Sequence, residues 1–170
     1  MSIVCCRVTE KKIEVASDSI LTIGMTQNKS SNRFAKLVQV NGMIVGGVGD
    51  ADEMSLFLLY CTTHHPERAD ESGLLSFVCE FVEWKKSRIS DSRLNNGYLV
   101  AYSGKIFCVD GYFVQEIISY EAIGAGMDFA LAALYLGHDA RRAAEVSCEL
   151  SILCEAPIVY YEMERNPGQG

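Results

Sequence analysis

The sequence has no apolar run approaching the roughly 20 residues that a membrane-spanning helix needs, and no basic segment leading into an apolar stretch at its start. Neither membrane insertion nor signal-directed export is therefore expected, and the chain reads as cytoplasmic. Clustered cations are missing too. The basic pairs Lys11-Lys12, Lys85-Lys86 and Arg141-Arg142 are scattered through a chain of net charge −7 and pI near 5.0, so no nucleic-acid surface is expected. The seven cysteines (Cys5, Cys6, Cys61, Cys79, Cys108, Cys148 and Cys154) include no CxxC pair and sit mostly in apolar runs. This pattern fits free thiols in a reducing compartment, with neither a disulfide framework nor a zinc site. Repeats of solenoid length and low-complexity segments are absent as well.

What is present suits one compact unit. The 170 residues, 49% of them hydrophobic, are expected to form a single domain over residues 1–165, followed by a flexible tail at 166–170. Ser2 to Val8 and Lys12 to Asp18 are β-favouring runs either side of a short turn. Ile20 to Met25 reads as a continuation of the second strand, ahead of a polar loop from Thr26 to Arg33. Ala35 to Val40 and Met43 to Val48 flank Asn41-Gly42, a pair that supplies the two positive φ angles of a tight hairpin turn.

After Gly46-Gly47-Val48-Gly49 the apolar period changes from two to about 3.6. Asp50, Asp52 and Glu53 stand where acidic groups favour a helix start, and Met54, Phe57, Leu58 and Cys61 follow on one face. A second helix is expected from Leu74 to about Arg88, with Leu75, Val78, Phe81, Val82 and Trp84 at helical spacing. Four more strands are expected between Gly97 and Ile123, then helices from Met127 to Leu136 and from Ala140 to about Leu153, and a last strand from Ile158 to Met163. Strands and helices thus come in groups rather than in βαβ alternation. The expected class is α+β, with an antiparallel sheet system between helix layers.

Several segments taken in order resemble the proteasome β-subunit family and the HslV peptidase. They are Ser2-Ile3-Val4, Ala16-Ser17-Asp18, Lys36-Leu37-Val38-Gln39-Val40-Asn41, Gly46-Gly47-Val48-Gly49-Asp50-Ala51-Asp52 and Ile123-Gly124-Ala125-Gly126. The resemblance implies a four-layer αββα sandwich of the N-terminal nucleophile hydrolases. It also implies homo-oligomeric rings of six or seven subunits, possible service to an ATP-dependent unfoldase, and hydrolysis of protein or peptide substrates without a cofactor or metal.

Carried over residue by residue, the resemblance makes Ser2 the nucleophile once Met1 is removed, its own α-amine serving as base. Asp18, sixteen residues further on, would orient Lys36, and backbone N–H groups around Gly49 would form the oxyanion hole. The interval from Asp18 to Lys36 is longer than in HslV, which leaves Arg33 as an alternative cation. The family commonly has Ser where this chain has Ala125, and its later Asp and Ser have no clear counterpart in Ser151 to Pro157. A catalytically silent ring subunit, or an amidohydrolase acting on small amides, are the competing readings. Cys61 and His65 stand one helical turn apart, yet nothing else in the sequence supplies the remaining ligands of a metal site.

Overall fold

A computed structural model describes residues 2–23, 26–27, 35–91 and 93–165. The expected tail at 166–170 and the alternative cation Arg33 lie outside the described residues. The chain opens with β1 (Val4–Val8) and β2 (Lys12–Ser17), then a small hairpin of β3 (Thr22–Ile23) and β4 (Thr26–Gln27). Next come β5 (Leu37–Val40), β6 (Met43–Val48), α1 (Ala51–Cys61) and α2 (Glu71–Lys86). Four strands follow, β7 (Gly97–Tyr102), β8 (Lys105–Asp110), β9 (Phe113–Glu116) and β10 (Tyr120–Ile123), and then α3 (Met127–Tyr135), α4 (Ala140–Leu150) and β11 (Val159–Glu164).

Two antiparallel sheets result, one ordered β10-β1-β2-β11 and the other β5-β6-β7-β8-β9. Strand alternation sends successive side chains to opposite faces, so each sheet buries both. Between the sheets lie Val4, Cys6, Ile13, Val15, Leu37, Ile44, Leu99 and Ile106. The outer face of the five-stranded sheet packs Val45, Tyr98, Val100 and Phe107 against Phe57 of α1 and Phe77 and Phe81 of α2. On the four-stranded sheet, Ile3, Cys5 and Ala16 meet Ala130 and Leu134 of α3 and Ala140, Ala143 and Ala144 of α4. Three cores separated by two sheets make the four-layer αββα sandwich. The vicinal pair Cys5-Cys6 shows the alternation directly, Cys5 facing the helices and Cys6 the other sheet.

Some boundaries differ from expectation for local reasons. β2 stops at Ser17 because Asp18 turns its carboxylate onto the Ile20 N–H at 3.3 Å, and the Ser19 hydroxyl binds the Pro157 carbonyl at 2.7 Å. Residues 20–23 therefore do not prolong β2, and Thr26 and Gln27, expected in the loop, pair back onto Thr22 and Ile23; Gly24 and Met25 lie outside the described residues. The second helix begins at Glu71 rather than Leu74, because Asp70 caps it by accepting from the Gly73 N–H at 2.7 Å. Leu75, expected on its core face, is exposed. His65 bonds Pro66 and Tyr102, and no metal-binding group of His, Cys, Asp and Glu forms among the described residues. No helix among the described residues is long and apolar enough to cross a membrane.

Candidate active site

Where β2 ends, the two sheets and α1 leave a cleft of about 160 Å3 lined by Ser2, Lys36, Gly47, Gly49, Met54 and Asn96. Three of the four residues picked from the sequence line it, and the fourth, Asp18, sits immediately beneath, bonded to Lys36. Asp18 is 0% exposed, Lys36 3% and Ser2 5%, so the ionic groups are shielded from bulk water. Lys36 Nζ donates to Asp18 Oδ1 at 2.8 Å and to Oδ2 at 3.0 Å. A buried carboxylate needs more than one partner to offset its desolvation, and Asp18 has several. Ile3 N–H donates to Oδ1 at 3.0 Å, and Ile20 and Glu155 N–H groups to Oδ2 at 3.3 Å each. Asp18 thereby ties the chain start, the exit of β2 and the approach to β11 to one carboxylate.

Backbone pairing fixes the rest. Gly47 N–H binds the Lys36 carbonyl at 2.9 Å, which aligns Lys36 just ahead of β5 with the end of β6. Gly126 N–H binds the Ser2 carbonyl at 3.2 Å, and Asp18 N–H binds the Ile3 carbonyl at 3.2 Å. The Gly124-Ala125-Gly126 turn is thus a cradle for the first residues. Gly124 has φ +101°, where L side chains are strained, and an added Cβ would collide with the Ser2 carbonyl. Gly49 has φ +129°, and a Cβ there would run into Asn96 Oδ1. Gly47 lines the cleft, while Gly46 faces Val4 and Leu37 between the sheets.

Burial pushes the Lys36 ammonium below the ordinary lysine value of 10.5, although Asp18 pulls the other way by charge and hydrogen bond. The neighbouring thiols move away from reactivity. Cys148 is pushed up to about 12 by burial with Asp18 adding to it, and burial followed by Asp18 also raises Cys154. Both stay protonated at neutral pH, so neither offers a thiolate nucleophile beside the cleft.

Asn96 was not picked out by sequence reasoning, although it lines the cleft. Its side chain accepts from the Asp50 N–H at 2.6 Å and donates to the Asp50 carbonyl at 2.9 Å. Asp50, expected to start α1 with its own carboxylate, makes no side-chain cap, and Asn96 from across the sheet grips its backbone instead. In the sequence, Asn95-Asn96-Gly97 carries only a turn signal. Nothing local announces a partner 46 residues away.

Two stacked antiparallel sheets between helix pairs, with the chain start beside a buried Asp–Lys pair, define the fold of the proteasome-like N-terminal nucleophile hydrolases. Its solved neighbours include the Thiobacillus denitrificans protein BPH, at 20% identity and TM-score 0.84 over 97% of this chain and 99% of that one. The same protein in complex with epoxomicin is similar at 19% identity and TM-score 0.83, covering 97% of this chain and all of the other. Eukaryotic HslV from Trypanosoma brucei shares 18% identity at TM-score 0.72, over 96% of this chain and 99% of its own. No family model matches the sequence, and no curated protein matches it either.

Proposed function

We propose that the chain is a subunit of a proteasome-like peptidase that hydrolyses peptide bonds with Ser2 after removal of Met1. The carrying observation is the buried Asp18–Lys36 pair, bonded at 2.8 and 3.0 Å, with Lys36 lining the same cleft as Ser2 while Asp18 also holds the Ile3 N–H. In this reading the Ser2 α-amine, with an ordinary pKa of about 7.7 to 8.0, takes the hydroxyl proton through a water. The freed Oγ attacks the scissile carbonyl, and the Gly49 N–H at the start of α1 receives the oxyanion. Lys36 supplies positive charge next to the forming alkoxide. The amine then passes the proton to the leaving amide nitrogen, and water releases the acyl group from Ser2.

A ring of six or seven copies, fed by an ATP-dependent unfoldase, goes with this reading. Met127, Tyr135, Leu136, Leu150 and Ile152 are exposed on and after α3 and α4, an apolar surface that burial against another copy would remove from water. The competing silent-subunit reading is favoured by Ala125, which puts no hydroxyl at the turn cradling Ser2. The neighbour's complex with epoxomicin supplies the probe that separates them. An epoxyketone closes a morpholine ring only on a residue offering both a hydroxyl and a free amine. Intact mass of the purified protein is expected to show loss of Met1, then a stoichiometric epoxomicin adduct that Ser2→Ala abolishes. Retention of Met1 in the native host defeats the reading; a processed chain that neither reacts nor cleaves peptides is a silent subunit.

A further inference from the structure

We infer that Asn96 is a positioning residue for the oxyanion donor, acting through a clamp on the Gly49–Asp50 turn; the inference rests on the proposed roles of Ser2 and Gly49. A transition-state donor works by being aimed before the reaction begins, because a donor that must reorient gives back much of what it stabilises. Glycine is the residue least able to hold its own direction, and Gly49 at φ +129° lies just past the end of β6 in an exposed turn. Something outside the turn has to fix it.

Asn96 does so from two sides. Its Oδ1 accepts from the Asp50 N–H at 2.6 Å, which orients the Gly49–Asp50 peptide plane, and its Nδ2 donates to the Asp50 carbonyl at 2.9 Å, which orients the plane after it. The β6–β7 ladder brackets the turn from the other direction, ending at the Val48 and Gly97 pair. Gly49 is therefore held between the ladder and the clamp. The bond to Oδ1 also occupies the Asp50 N–H, which leaves the preceding amide as the one to meet a substrate carbonyl. The side chain reaches so close to Gly49 that no Cβ fits there, so the clamp and the glycine require each other.

The clamp is itself anchored. Asn96 N–H donates to Glu53 Oε1 at 2.9 Å, Asn95 N–H reaches both Glu53 oxygens at 3.1 Å, and the Tyr98 hydroxyl donates to Oε1 at 3.1 Å. Lys85 Nζ closes the set on Oε2 at 2.7 Å. Asn96 is only 2% exposed although it lines the cleft, so its amide is packed rather than free to turn. The chain from Lys85 through Glu53 and Asn96 to Gly49 joins α2, α1 and the residue just ahead of β7 to the Gly49 end of the cleft.

The test is steady-state peptide hydrolysis by processed protein, with a peptide aldehyde as a mimic of the tetrahedral state. In Asn96→Ala, kcat is expected to fall about 10- to 100-fold with KM within about threefold, and aldehyde affinity to fall in parallel with kcat. Asn96→Ser, which can make one of the two bonds, is expected in between. A folded Asn96→Ala enzyme with kcat within twofold of the parent, or one whose whole loss appears in KM, overturns the inference alone. A processed parent with no turnover and no epoxomicin adduct overturns the peptidase reading and this inference with it. If Asn96→Ala does not fold, the parent carries the test: aldehyde binding is expected to shift the Asn96 side-chain amide resonances together with the Gly49 amide, and unmoved Asn96 resonances refute the clamp.

Discussion

Among the described residues, two buried lysine–carboxylate pairs are built from the same parts, and on the proposed reading they serve different ends. Asp18 accepts from three backbone N–H groups and Lys36; Glu53 accepts from the backbone of Asn95 and Asn96, the Tyr98 hydroxyl and Lys85. In both, a carboxylate gathers segments distant in sequence and a lysine balances its charge. The difference lies in what the lysine faces. Lys36 lines the cleft with Ser2, whereas Lys85 also donates to the Arg93 carbonyl and ends its hydrogen bonding in the loop ahead of β7. A buried ion pair is therefore no sign of catalysis by itself. On the proposed reading, the Ser2 hydroxyl in the shared cleft makes the first pair chemical and leaves the second architectural.

The comparison breaks most sharply under matched substitutions. Lys36→Met is expected to abolish epoxomicin adduct formation and lower peptide hydrolysis by at least about 1,000-fold, because the charge beside the alkoxide is lost. Lys85→Met is expected to cost about 3–5 kcal/mol by leaving Glu53 without its counter-charge, while the folded protein still forms the adduct. Intact mass and urea unfolding read the two effects separately, and equal loss of adduct in both variants would erase the distinction.

A smaller effect appears with pH. The folded state holds the Lys36 proton less tightly than the unfolded chain does, so between the lowered pKa and 10.5 the unfolded state binds more protons. Stability attributable to Lys36 is thus expected to rise with pH through that window, as the cost of burying its charge disappears. Urea titrations of the parent and Lys36→Met at stepped pH check the sign, and a difference that falls with pH contradicts it.

The smallest expected change concerns a polar group outside either pair. Ser17 is fully buried, and among the described residues its hydroxyl has no hydrogen-bond partner. Ser17→Ala is expected to be neutral or to stabilise by about 1 kcal/mol, measured as a shift in urea midpoint. A loss of similar size would mean that the hydroxyl has a partner in solution and belongs with the Asp18 cluster next to it.

Most of the layered fold was legible because its signals are local. Asn41 and Gly42 do take positive φ, +47° and +76°, and Val40 pairs with Met43 across the turn as that dipeptide demands. The switch of apolar period after Gly49 located α1 within a residue or two. Asp18 and Lys36 were also readable, since both fall in segments that resemble a known family. What escaped notice was decided by partners far along the chain. The end of β2 is set by Pro157 and Glu155 as well as by Asp18, and the start of α1 is set by Asn96. A sequence read segment by segment shows that Asp50 could cap a helix, but not that another residue already does so.

The cradle around the first residues constrains how the protein can be handled. The carbonyl of Ser2 and the amide of Ile3 are both tied down inside the fold, and on the proposed reading anything attached ahead of Ser2 takes up the amine that would serve as base. A purification tag fused at that end would, on that reading, keep the subunit silent, and cutting it off becomes a switch that an experimenter can throw at a chosen moment.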